Sequence, residues 1–114
     1  MTDLRELEKR LEDATGPSQT LDRQINDTLG LPPIGYPRFT SSLDAAVALV
    51  ERIFPEREWA LSVDKENGKA CADVADDVWD ESFENIRAFS KAPPLALCLA
   101  LVRALIAAKG DRHD

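Results

Sequence analysis

Two arginines stand where a guanidinium could meet a ligand. Arg103 is the one charge inside the otherwise apolar run from Leu95 to Ala108. A buried arginine must find a carboxylate, carbonyl groups or a bound anion. Arg103 therefore pairs with one of the chain's many acids, snorkels to the surface, or holds an anionic ligand. Arg38 is flanked by Tyr36 and Phe39. A guanidinium beside aromatic faces is a combination that nucleotide pockets use; the alternative is an edge strand with one apolar and one solvated side. Tyr36, Arg38, Phe39 and Arg103 are the candidate ligand-binding residues.

Catalytic and metal chemistry find less support. His113 is the single histidine and stands one residue from the end of the sequence, whereas a catalytic imidazole needs a rigid, partly buried site. Cys71 and Cys98 lie in apolar settings without metal-ligand spacing and read as reduced, buried small hydrophobes. Six acids, Asp73, Asp76, Asp77, Asp80, Glu81 and Glu84, occur with no base among them, interrupted by Trp79 and Phe83. Their spacing lacks the alternation, central glycine and terminal glutamate of a calcium loop, so a solvated acidic loop is expected. There is no glycine-rich phosphate loop and no nucleophile elbow. The expectation is a protein that is not an enzyme, with no catalytic residue, no metal and no cofactor.

The totals narrow the class further. A chain of 114 residues, 44% hydrophobic and 31% charged, is one folded unit able to bury a core without staples. A net charge of −7 disfavours nucleic acid, whose phosphate backbone calls for a basic face, but leaves room for a small anion held by local arginines. Met1 to Asp13 alternates acids, bases and leucines without an apolar segment of the kind that leads a secreted chain, so a cytoplasmic location is expected. The longest apolar run is too short to span a membrane.

Periodicity supplies the elements that must position these residues. Leu4, Leu7 and Leu11 make a narrow stripe on a first helix, Asp3 to Ala14, suited to docking on the domain or to pairing with another chain. Gly16-Pro17 ends it, Ser18 caps a second helix from Gln19 to Leu29, and Gly30 stops that one. Two prolines stiffen the connector Leu31 to Gly35. Tyr36 to Thr40 reads as a strand, with Pro37 at an edge or strand start. Ser41 or Ser42 then caps a helix closed by Pro55, and Ser41-x-x-Asp44 approximates a capping box. Trp59 to Val63 alternates as a half-buried strand does, with Trp59 in the core. Lys65-Glu66-Asn67-Gly68 carries a hairpin turn signal, and Lys69 to Val74 returns. Its small residues, Ala70, Cys71 and Ala72, leave space for a close helix. The last helix runs from Pro93 to Gly110 with almost no polar face, so it is central to the domain or lies in a subunit interface.

Two segments resemble a known family. The first is Leu7-Glu8-Lys9-Arg10-Leu11-Glu12-Asp13-Ala14-Thr15-Gly16-Pro17-Ser18-Gln19-Thr20-Leu21-Asp22, with Ile25 and Leu29-Gly30 beyond it. The second is Phe39-Thr40-Ser41-Ser42-Leu43-Asp44-Ala45-Ala46-Val47-Ala48-Leu49-Val50, completed by Pro94-Leu95-Ala96-Leu97-Cys98-Leu99-Ala100-Leu101. Together they resemble the small phage ABA sandwich domain proteins encoded by prophages, especially in bacteria related to rhizobia. The likeness is one of caps, turn glycines and helix stripes, and Asp64 to Lys91 matches least. It implies helices on both faces of a sheet. Some phage proteins similar in this domain are sponges against the Thoeris defence system. They sequester a cyclic ADP-ribose-type signal or cyclic oligonucleotides in pockets between subunits.

The expected fold is therefore α+β: a small antiparallel or mixed sheet of about three strands with helices on both faces, preceded by an N-terminal helical hairpin. Residues 1–34 form the hairpin and linker, 35–110 the sandwich-like domain and 111–114 a tail. The expected function is sequestration of a nucleotide-type signal by a self-associating, non-enzymatic prophage protein. The alternative is a phage structural or protein-interaction module without a small ligand.

Overall fold

The computed structural model describes residues 4–31, 37–55, 58–64, 66, 68–75, 88–90 and 92–110, with the backbone alone for 58, 75, 89 and 107–110. They form an α+β fold with helices α1 (Leu4–Asp13), α2 (Gln19–Thr28), α3 (Leu43–Ile53) and α4 (Pro93–Gly110). The strands are β1 (Glu58–Asp64), β2 (Lys69–Ala75) and the short β3 (Ala88–Ser90). Asp73, the first acid of the expected solvated loop, is instead buried on β2; residues 76–87 with the other five acids, Tyr36 and the tail with His113 lie outside the described residues.

Helix α4 is the axis of the fold. Every residue from Leu95 to Val102 is buried, and Ala104 as well, because α4 packs against the sheet on one side and against α1 and α3 on another. The expectation of a helix central to the domain is met. α1 docks onto it through Leu7 and Leu11, both fully buried, which leaves the Glu6–Arg10 pair, 3.3 Å apart, on the exposed face. Leu7, Leu11, Leu21 and Ile25 of the hairpin belong to the same core as Ala46, Val50 and Leu99. Among the described residues no helix is long and apolar enough to cross a membrane.

The caps explain where the helices begin and end. The Ser18 hydroxyl accepts from the Leu21 amide at 3.3 Å. At the other end of α2, Gly30 adopts φ +71°, and the Leu31 amide donates back to the Asn26 carbonyl at 3.0 Å while Gly30 donates to Asp27 at 3.2 Å. This pair of bonds satisfies carbonyls that the helix end would orphan. A Cβ on Gly30 would meet open space, so Gly30→Ala isolates the conformational cost of the left-handed backbone. It is expected to destabilise by about 1 kcal/mol in chemical denaturation. At α3 the cap is Ser42, whose hydroxyl accepts from Ala45 at 3.2 Å. Ser42 is one of the two serines expected to cap, but the box expected from Ser41-x-x-Asp44 is not formed, since the residue three after the cap is Ala45, which has no side-chain acceptor.

The sheet departs from expectation more. β1 and β2 pair antiparallel in the register Trp59↔Val74, Leu61↔Ala72, Val63↔Ala70. β3 pairs antiparallel with β2, Ala72 opposite Ala88. Ala70, Ala72, Val74 and Ala88 are buried on the face that meets α4, and the alanines keep that interface close. Trp59 is half-buried against the core. The strand expected at Tyr36 to Thr40 is not one. From Pro37 on the chain turns, with Phe39 donating to the Pro37 carbonyl at 3.0 Å, and Ser41 and Ser42 donating to that of Arg38 at 3.2 and 2.8 Å. Pro37 has no amide to offer a ladder, and the alternation there is too short to outweigh the side-chain anchor described below. The helical layer expected over the sheet's second face is not found among the described residues.

Candidate functional site

The turn over residues 37–42 is tied to the start of α2 by a buried polar node. Asp22 Oδ1 accepts from the Thr40 amide at 2.8 Å and from the Thr40 hydroxyl at 2.7 Å. The same hydroxyl oxygen accepts from the Ser18 amide at 2.9 Å. The Ser18 carbonyl, 3.1 Å from that hydroxyl, competes for its single proton, but the charged and nearer carboxylate is the stronger acceptor. Asp22 and Thr40 are both buried. Ser18 thus works twice, as helix cap and as anchor for a turn more than twenty positions away in sequence.

This node places Arg38. Its side chain is exposed and lines a groove of about 500 Å3 together with Gln19, Thr20, Asp22 and Arg23. Of the first four amides of α2, Ser18 serves those of Leu21 and Asp22. Those of Gln19 and Thr20 precede the first intrahelical acceptor and carry the positive end of the helix dipole. The Arg38 guanidinium beside a helix N-terminus is suited to bidentate contact with a phosphate or carboxylate.

Phe39, the next residue, points elsewhere. It is buried and lines a second groove of about 240 Å3 with Asn26, Leu31, Pro37, Ala45, Ala48, Leu49 and Arg52. The aromatic–arginine cluster expected from sequence is therefore divided by the turn, Arg38 serving one groove and Phe39 the other. Tyr36 lies outside the described residues.

Arg103 is in a third place. Its Nε donates to Glu8 Oε2 at 2.9 Å, and Nη2 donates to Glu12 Oε2, so two carboxylates of α1 hold it in the α1–α4 seam. Of the alternatives open in the sequence, pairing with acids is the one found, and neither groove includes Arg103. The pairs are partly exposed, the arginine side chain by 24% and the glutamates by 26% and 43%, and solvent screens them. Arg103→Met is accordingly expected to cost no more than about 1 kcal/mol in urea denaturation, and less at high salt.

Cys98 of α4 is buried against the 37–42 turn. Its thiol donates to the Phe39 carbonyl at 3.5 Å. Burial pushes its pKa far up, and the nearby Asp22 carboxylate pushes the same way. A thiol kept protonated is not a nucleophile. Because the folded state holds the proton where the unfolded chain would release it, Cys98 supports the fold fully below the ordinary thiol range. That support drains away as pH rises past about 8.5. Thiol-reagent titration at pH 8 is expected to find at most one reactive cysteine, Cys71, in the native protein and two after denaturation. Cys98→Ala is expected to flatten the loss of stability on the alkaline side.

Among the described residues no group of three or more histidine, cysteine or acidic side chains is placed to hold a metal ion. No protein-family model, no curated protein and no solved structure matches the chain.

Proposed function

We propose that this chain is a non-enzymatic, prophage-derived protein that binds and sequesters an anionic, nucleotide-type signal in the groove beside Arg38, as an anti-defence sponge. One observation carries the reading. In a chain of net charge −7, Arg38 and Arg23 share a groove with the first turn of α2, and the Arg38 side chain makes no ion pair among the described residues. Such a locus attracts a phosphate against the overall field. The resemblance to phage ABA sandwich proteins supplies the ligand class, cyclic ADP-ribose isomers or cyclic oligonucleotides. A helical layer over the Ala60, Ser62 and Cys71 face, a cytoplasmic location and the absence of catalysis belong to the same proposal. Calorimetry of the full chain against cyclic ADP-ribose isomers and cyclic di- and trinucleotides tests it. Heat with one of them that Arg38→Ala abolishes is the expected result, and no heat with any of them contradicts the reading.

The second reading, a phage structural or protein-interaction module, is favoured by a different observation. Val63 and Leu43 are large apolar residues left 56% and 38% exposed. It calls for a protein partner and no small ligand.

A further inference from the structure

Only one oxygen of the Asp22 carboxylate is used by the fold. Oδ1 takes both bonds from Thr40, at 2.8 and 2.7 Å, while Oδ2 accepts none among the described residues. Asp22 is only 4% exposed, yet it lines the groove of about 500 Å3 beside Arg38. The sealed side-chain oxygens without a partner are Gln24 Oε1 and Thr28 Oγ1. Oδ2 is not one of them, so it is through Oδ2 that the carboxylate meets the groove. Arg38 lines the same groove and forms no ion pair with Asp22. A guanidinium and a buried carboxylate oxygen are thus held apart in one groove, and neither satisfies the other.

We propose, on the footing of the nucleotide reading of this groove, that Asp22 Oδ2 accepts a hydrogen bond from the bound ligand. The ligand class narrows accordingly: it joins an anionic group, held by Arg38, to an O–H or N–H donor that reaches Asp22. A ligand filling the groove displaces solvent from Oδ2, and affinity is lost unless the ligand brings a donor of its own. A phosphate oxygen placed there would instead face a carboxylate at close range, which is repulsive. Asp22 therefore selects as well as binds. It disfavours bare phosphate and favours a nucleotide whose sugar hydroxyl or base amino group lies on the Asp22 side. Because Oδ1 anchors the turn that carries Arg38, the acceptor and the guanidinium keep a fixed relation.

Adenosine 5′-monophosphate carries a phosphate, sugar hydroxyls and a base amino group, and serves as the probe, with inorganic phosphate beside it. Amide chemical shifts of the full chain follow both titrations. Asp22→Asn keeps an oxygen for Thr40 and turns the amide nitrogen, a donor, toward the groove. It should weaken adenosine 5′-monophosphate at least about tenfold, the scale of one hydrogen bond to a charged group. Inorganic phosphate should bind this variant as well as before or better, because a negative charge has gone. A purely repulsive Asp22 would let both anions tighten, and a purely structural one would weaken both alike. Either result overturns the proposal.

The unsubstituted chain supplies a second test that does not depend on the variant's folding. The 2′,3′-dideoxy nucleotide lacks the sugar donors, and the nucleotide of unsubstituted purine lacks the base amino group. One of the two should bind at least about tenfold more weakly than adenosine 5′-monophosphate, which identifies the donor. Both binding as tightly as the parent overturns the proposal while leaving the Arg38 groove an anion site. Shifts with adenosine 5′-monophosphate that are missing altogether, or that Arg38→Ala leaves unchanged, also overturn it. The nucleotide-signal reading itself falls only when the cyclic probes fail as well.

Discussion

Leu101→Ala is expected to lower stability by about 3 to 4 kcal/mol, a loss at the large end for a single truncation. Leu101 is fully buried, as are its neighbours Ala100 and Val102. α4 has the sheet on one side and α1 and α3 on another and is buried at every residue from Leu95 to Val102, so around Leu101 there is no solvent face toward which the helix could shift to fill the void. A cavity that cannot collapse costs both the transfer free energy of the lost methyl groups and the contacts of its lining. The measurement is a urea midpoint shifted at unchanged m. Leu43→Ala, at a leucine 38% exposed, serves as the comparison and should stay within about 1 kcal/mol.

Asp22→Ala is expected to cost about 2 to 3 kcal/mol, although it removes no apolar packing of note. The carboxylate is the acceptor for both the amide and the hydroxyl of Thr40. Its loss leaves a buried backbone donor without a partner, which costs that group's full desolvation. Thr40→Val keeps the buried Thr40 amide bond to Asp22 and takes the acceptor from the Ser18 amide, which is only part-buried, so alone it should cost less. Combining the two substitutions should give a coupling of about 1 kcal/mol or more, since both act on one network. Additive losses would show that the node is not a unit. Loosening the turn also releases Arg38 from its place beside α2, so ligand affinity should fall in Asp22→Ala even where the protein remains folded.

The helices were legible because each is marked at its ends. Ser18, Gly30 and Pro55 bound α2 and α3 as local stereochemistry requires, and the nearly all-apolar composition of α4 announced its central position. The Asn67-Gly68 signal located the hairpin, and Gly68 does adopt φ +66°. The turn at 37–42 was not legible. Five residues of alternating character suit a strand, and the bond that decides otherwise comes from Asp22, eighteen positions earlier in sequence. The candidate site was half-legible for the same reason. Residue types drew attention to Arg38, but only the fold shows that Phe39 faces a different groove and that Gln19, Thr20 and Arg23 accompany Arg38. For Arg103 the sequence offered an acid partner among the alternatives. The choice of Glu8 and Glu12 follows from the docking of α1, a contact across more than ninety residues.

The ligand reading is tested most directly by an amide chemical-shift titration of the full chain with the cyclic ADP-ribose isomers and cyclic oligonucleotides. The expected result is saturable shifts for at least one of them, concentrated at Gln19, Thr20, Arg23 and Arg38 and absent in Arg38→Glu. Spectra unchanged at millimolar ligand, or shifts confined to residues outside that groove, would contradict it.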